Sequence, residues 1–339
     1  MALRLAPTRS PTRRVVLLVP CALAMTRFAQ AQVQARSRFP SRPITLIVPF
    51  APGGIADLTA RAVARPLAST LGQPVIVENR PSAGSIVASQ TVAHANPDGH
   101  TLLLMSNANA LSVALFKKLP YDVVRDFRPI STLGFFDLAV FANGWRGNGA
   151  RFPTLNDALA YAKANPGKLT IGCIAVGSTQ HLSAELFKRV AGIDALIVPY
   201  KSSPAVLTAL RSGEIDLAFE ILGAMLGPAS AGAVRTLAVS SETRHAALPD
   251  VPTVRQAVGL RYAVASWNAL AAPAGTPAQT VAKLNRAVRE ALALPETRQI
   301  LTPLGMRLLA STPTELAALL ARDIERWGGV IRAAKIVPE

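Results

Sequence analysis

Phe50-Ala51-Pro52-Gly53-Gly54-Ile55-Ala56-Asp57 follows the apolar run Ile44-Thr45-Leu46-Ile47-Val48-Pro49. It opens a segment in which Ala56, Ala60, Val63, Leu67 and Leu71 recur at spacings of three and four. The pattern predicts a strand, a glycine turn and a helix start. Such a turn aims free backbone N–H groups and the positive end of the helix dipole at whatever lies in front of it, and so can hold an anion without a cationic side chain. Gly-Gly between a strand and a helix is also an ordinary connection, so the reading depends on the rest of the chain. Pro66 falls inside the expected helix, where it removes one backbone bond, and no function attaches to it.

The chain has 339 residues, half of them hydrophobic, which is enough for two buried cores. Near the N-terminus, Arg4, Arg9, Arg13 and Arg14 precede the apolar run 15–25, and Ala29-Gln30-Ala31 offers small residues at the −3 and −1 positions of a cleavage site. This predicts a signal peptide over 1–31 and an exported mature protein beginning at Gln32. Val15-Val16 after the arginine pair favour general secretion over the twin-arginine route. The apolar run is too short to span a bilayer, and no other stretch approaches that length. Residues 1–31 hold five arginines and no acid, so their removal lowers the formal charge from +16 to about +11. Aromatic residues make up only 5%, and the longest basic run left is Lys117-Lys118, which argues against nucleic acid as a partner. Cys173 is then the only cysteine, which excludes an intramolecular disulfide.

Strand and helix patterns alternate onward. Strands are expected at 74–78, 100–105, 138–142, 169–173, 195–198, 215–219, 234–239 and 263–272. Helices are expected to about 95 in the first half, then over 154–165, 179–190, 204–211, 277–294 and 314–331. The polar exit Ser106-Asn107-Ala108-Asn109 follows a strand apolar nearly throughout, as expected of a parallel strand buried on both faces. The pattern changes between Leu133 and Pro153, and the apolar stretch 263–272 reads as a return crossing. The fold class expected is α/β with two lobes, in which two crossing strands join two α/β domains around a ligand cleft. One domain comprises 38–142 and 262–339, the other 143–261.

The second domain has its own strand-to-helix turn, Cys173-Ile174-Ala175-Val176-Gly177-Ser178-Thr179-Gln180-His181. Ser178 and Thr179 suit a helix cap, and the same turn can meet a ligand from the side opposite Gly53-Gly54, so that two helix ends clamp one anion. His181 falls in the first helical turn. An alternative reading pairs Cys173 with His181 as the thiol and imidazole of a hydrolase, although no third orienting group is evident and a lone cysteine is usually a small apolar residue. His94, His100, His181 and His245 lack metal-ligand spacing, and no Gly-x-x-x-x-Gly-Lys-Ser/Thr sequence occurs, so neither metal nor cofactor is expected.

Seven ordered segments then carry a family resemblance. They are Pro49-Phe50-Ala51-Pro52-Gly53-Gly54, Val77-Glu78-Asn79-Arg80-Pro81, Pro97-Asp98-Gly99-His100-Thr101-Leu102-Leu103 and Leu119-Pro120-Tyr121-Asp122 in the first half. Val198-Pro199-Tyr200-Lys201, Leu248-Pro249-Asp250-Val251-Pro252-Thr253 and Ala272-Pro273-Ala274-Gly275-Thr276-Pro277 follow. From about residue 38 onward the chain resembles the periplasmic receptors of tripartite tricarboxylate transporters, the Bug-type solute-binding proteins. The resemblance implies a two-lobed periplasmic-binding-protein fold, type II-like, that acts as a venus-flytrap receptor for a small carboxylate, whether organic acid, amino acid or aromatic acid. It also implies a monomer that serves the membrane subunits of such a transporter, or a sensing role. By position it carries ligand contacts onto Phe50, Ala51, Gly53, Gly54, Ile55, Asp57 and Asn107 in the first domain. In the second they fall on Ala175, Gly177, Ser178, Thr179, His181, Lys201, Ser202 and Glu220. The chain departs from the family pattern at Ala175 and Ser202, where glycine is usual, at Val176, where a polar residue is usual, and at Glu220, where aspartate is commoner. The loop Ser82-Ala83-Gly84-Ser85-Ile86 also differs from the usual Gly-Ala-Gly-Gly-Asn. These departures imply a ligand less polar than a tricarboxylate.

Overall fold

The apolar run before the glycine turn forms strand β1 (Ile44–Val48), and the periodic segment after it forms helix α1 (Ile55–Leu71). The computed structural model describes residues 39–144, 151–174 and 176–338. Residues 1–41 are a unit of their own, of which 39–41 are described, and the fold below is that of Arg42–Glu339. The expected signal peptide, positions 145–149 of the expected crossing loop, and Ala175 lie outside the described residues.

α1 runs through a buried Pro66 and ends at Gly72, whose left-handed backbone lets its N–H bond to the Ala68 carbonyl at 2.9 Å. In the first lobe β1 lies between β2 (Val75–Asn79) and β3 (Thr101–Ser106), all parallel. The return strand β9 (Ala265–Pro273) pairs antiparallel with β3 and with the long β4 (Phe127–Asn143), and β4 also takes the short β10 (Met306–Leu308). Helices α2 (Ile86–Ala93), α3 (Asn107–Leu115), α9 (Ala278–Ala293), α10 (Pro295–Leu301) and α11 (Pro313–Ala333) belong with this sheet.

Past Leu138, β4 leaves β9 and becomes the centre of the second lobe, between β7 (Leu217–Ile221) and β8 (Val234–Val239). Next to β7 lies β5 (Leu169–Ile174) and next to that β6 (Ala195–Tyr200), both parallel to it. Helices α4 (Leu155–Ala164), α5 (Thr179–Ala191), α6 (Ser203–Ser212), α7 (Leu222–Ser230) and α8 (Val254–Val258) cover this sheet. The two crossing segments are pinned together by Ser240. Its N–H donates to the Leu138 carbonyl at 2.8 Å, its own carbonyl accepts from Val264 N–H at 2.9 Å, and its hydroxyl lies 2.7 Å from the Leu138 oxygen and 2.6 Å from that of Val264. The architecture is thus two-lobed α/β, with β4 and the segment leading into β9 crossing between lobes.

Several elements differ from the sequence expectation. Ser106–Asn109 is the capped start of α3 rather than a plain strand exit: Ser106 Oγ accepts from Ala108 N–H, and Asn109 Oδ1 accepts from Ser106 N–H at 3.0 Å. β4 begins eleven residues earlier than the strand expected at 138. α7, α8, α10 and β10 were not expected, since each is short and finds its partners through tertiary packing.

Candidate functional site

Parallel strands present their carboxyl ends along one edge. In the first lobe β1 and β3 bring the 50–54 turn and Ser106-Asn107 side by side, and antiparallel β9 starts at that same edge, with Ser266 as its second residue. In the second lobe β7, β5 and β6 align Glu220, the 176–181 turn and Lys201-Ser202. The sheet topology therefore gathers the candidate residues at two strand edges, the arrangement by which open α/β sheets bind ligands.

The two turns are built alike. Gly53 (φ +82°) and Gly177 (φ +78°) occupy the left-handed region that favours glycine. In each case the glycine N–H donates to the side chain four residues on: Gly53 to Asp57 Oδ2 at 2.9 Å, and Gly177 to His181 Nδ1 at 3.4 Å. The glycine amides are thus spent inside the turns, and the first helical N–H groups after them face outward without an intrahelical acceptor. Gly54, at φ −78°, needs no glycine for its backbone, and a Cβ there would meet only the Ala51 oxygen at 3.7 Å. No side chain caps α1. Ala51, Gly53 and Gly54 are exposed, while Phe50 and Ile55 are half-buried.

Asp57 is buried and holds the first turn together. Besides the Gly53 amide it accepts from Arg61 Nε at 3.0 Å and from Asn79 Nδ2 at 2.9 Å, and Asn79 also donates to the Phe50 carbonyl. Burial alone pushes its carboxyl up, but the bonds from Arg61, Gly53 and Asn79 outweigh burial and bring it down to about 2. In the second turn, Ser178 Oγ accepts from His181 N–H at 3.1 Å and donates to the Ile174 carbonyl at 2.6 Å. Burial pushes the His181 imidazole below its ordinary value, which suits the neutral Nδ1 acceptor that Gly177 uses.

Asn107 joins the two lobes. Its Nδ2 donates to Thr179 Oγ1 at the start of α5, and its Oδ1 accepts from Ser266 Oγ at 2.9 Å. Asn107 and Thr179 are both buried, and a Cβ on Gly177 would stand 3.0 Å from Leu115 Cδ1 of α3. The starts of α3 and α5 are therefore in contact. Behind them Glu220 is wholly buried, and its Oε2 accepts from Gln180 Nε2 at 3.2 Å and from Ile221 N–H at 3.1 Å, while Oε1 has no hydrogen-bond partner. Burial raises the Glu220 carboxyl, with the bonds from Gln180, Ile221 and Ser203 opposing it in part. Lys201 and Ser202 are exposed, and Ser202 Oγ caps α6.

The thiol–imidazole alternative finds no geometry. Cys173 is wholly buried, and burial, then the charges of Glu220 and Glu185, push its thiol up to about 12, opposite to what an activated nucleophile needs. Among the described residues no group of three or more His, Cys, Asp or Glu could hold a metal ion, and no helix is long and apolar enough to cross a membrane. Sequence reasoning missed Asn79, Arg61, Gln180 and Ser266. All four act through hydrogen bonds to candidate residues, for which sequence carries no local signal. The Ser106–Asn109 cap alone had one, a hydroxyl three residues before an amide.

Comparison with known proteins places these features in context. Residues 59–336 match a family described as tripartite tricarboxylate transporter family receptor. The protein BugT of Bordetella pertussis is 35% identical over 296 residues, covering 87% of this chain and 90% of BugT. MatC from Rhodopseudomonas palustris, solved with bound malate, is 35% identical with a TM-score of 0.71, covering 86% of this chain and all of that one. Rpa4515 of R. palustris, solved with adipate, is 31% identical with a TM-score of 0.76, covering 89% of this chain and all of that one.

Proposed function

Since the chain belongs to the tripartite tricarboxylate transporter receptor family, whose members are substrate-binding receptors and not enzymes, we propose that it holds a small dicarboxylate between its lobes. One carboxylate sits at the starts of α1 and α3, the other at the start of α5. The observation that carries this reading is the Asn107 bridge, because one side chain bonded to both lobes brings two helix N-termini together. An anion beside that bridge meets positive helix ends from two directions. Malate in MatC and adipate in Rpa4515 support the ligand class, since each molecule carries two carboxylates.

A third carboxylate suits the site less well. Lys201 is the only cationic side chain among the candidate residues, His181 is held neutral, Asp57 is itself an anion and Val176 exposes an apolar side chain. In this reading residues 1–31 are removed on export, and the monomeric receptor hands its ligand to the membrane subunits of the transporter. The domain of 38–142 with 262–339 rotates against that of 143–261 about the Ser240 junction. Titration calorimetry of the mature chain with malate, adipate, citrate and butyrate tests the ligand class. A dicarboxylate is expected to bind one-to-one, at least about tenfold more tightly than citrate or butyrate, and to be recovered unchanged. Tightest binding by citrate or butyrate, or no heat from either dicarboxylate, overturns it.

A further inference from the structure

Two glycines from different lobes meet beside β4. A Cβ added to Gly223, in the first turn of α7, would run into the Leu304 carbonyl, 2.6 Å from its carbon and 3.2 Å from Gly305 N. One added to Gly305 would stand 2.8 Å from both the Cα and the N of Gly223. A side chain fits at neither position without a shift of backbone, because the obstructing atoms are backbone. Gly305 needs glycine in any case for its φ of +74°. Gly223 does not, since its φ is not positive, and inside a helix alanine is the better residue. The close approach to the other lobe is what its missing side chain serves.

The contact sits at the junction of the lobes. Ser240 joins β8 to β9 along one side of β4, which leaves β7 and β10 on the other side. There β7 ends with Ile221 opposite Leu138, and β10 begins with Met306 opposite Phe136. The two glycines meet at the gap between those strand ends. Neither partner gives way easily. Leu222 and Met225 of α7 are wholly buried in one core with Ala139 and Phe141 of β4. The 302–305 turn is held by the pairing of β10 with β4 and by Leu309 N–H, which donates to the Leu133 carbonyl at 3.2 Å. Met306 is buried as well, with its sulfur 3.9 Å from Thr59 Oγ1 of α1.

We infer that the Gly223–Gly305 contact is the second bearing of the hinge, and that Gly223 is a positioning residue for the cleft. A junction tied on one side of a strand can both bend and twist. Tied on both sides, by Ser240 and by the glycine pair, it turns about the single line that joins the two points. That line carries the start of α3 to the start of α5, so that Asn107 meets Thr179. A methyl group at 223 displaces one bearing, since well-packed backbone on either side cannot absorb it, and the two helix starts then miss their register. Gly223 acts on binding through the angle between the lobes, without touching a ligand.

Three measurements on the mature chain test this. With label in the glycines alone, the ligand-free parent should show a nuclear Overhauser contact between the α-protons of Gly223 and Gly305, and its absence overturns the inference whether or not any variant folds. Spin labels on Ser69→Cys in α1 and Lys163→Cys in α4, both exposed positions, then report the lobe angle, because Cys173 is wholly buried. Folded Gly223→Ala should shift the mean separation of the labels. Gly227→Ala lies in the same helix, where a Cβ meets nothing within 4 Å, and should keep the parental separation. An unchanged separation in Gly223→Ala, or an equal shift in Gly227→Ala, overturns the inference. Finally, Gly223→Ala should bind adipate at least about tenfold more weakly than Gly227→Ala, and equal affinities remove the positioning role. Only this last measurement rests on the proposed carboxylate ligand, so the first two fail or succeed independently of it.

Discussion

Asp57 links the chemistry of one side chain to the shape of the first turn. Gly53 and Gly54 look equivalent in the sequence, but only Gly53 adopts positive φ, and its amide is held by Asp57. Pairing with Arg61, Gly53 and Asn79 prevails over burial and takes the folded pKa from 3.8 to about 2. A carboxylate whose pKa falls on folding stabilises the native state fully above its unfolded pKa. That contribution fades as pH drops from about 4 through about 2. A fall of that size corresponds to roughly 2 kcal/mol. Asp57→Asn should therefore be less stable than the parent by about 2 kcal/mol at pH 6 in urea unfolding, with the gap closing between pH 4 and pH 2. A gap of equal size at both ends of that range would show that ionisation of Asp57 is not what holds the turn.

Among the elements, α3 shows where sequence reading stops. The parallel strands β1, β3 and β5 were legible because burial on both faces demands near-continuous apolar runs, and α1, α5, α9 and α11 because one buried face gives a helical period. α3 opens with Asn107-Ala108-Asn109, weak helix formers, and its cap uses an asparagine where the usual signature has glutamate or glutamine. α7 contains Gly223, Gly227 and Pro228, and β10 is three residues that exist only by pairing with β4. The glycine turns were legible from composition, whereas the bonds that spend their amides were not. The contact between α3 and α5 through Asn107 has a measurable consequence. Asn107→Ala removes the donor to Thr179 and the acceptor for Ser266 in a buried place, and should lower unfolding stability by about 1–3 kcal/mol. Asn107→Leu, which has a similar volume and makes neither bond, should be impaired as well. Parental stability in both variants would remove the bridge from the account.

At the scale of the whole molecule, two lobes share β4 and meet at Ser240; at its strand edge the first offers the uncapped start of α1 and the second the Ser178-capped start of α5. Apolar packing is continuous across the junction, since Leu111 of α3 and Trp327, Val330 and Ile331 of α11 belong to the core built on β5 and β7. Any closing motion must therefore pivot close to these residues. In the proposed reading, a dicarboxylate held by both turns would stabilise a closed arrangement, because contacts to both lobes would exist only there. The central claim is that one ligand is gripped from both sides, and the most direct measurement is backbone amide shift mapping of the mature chain as malate or adipate is added. The account predicts saturable shifts with one common dissociation constant at Gly54, Ile55 and Asn107 in the first lobe and at Gly177, Ser178 and Thr179 in the second. Saturable shifts confined to one lobe would contradict it.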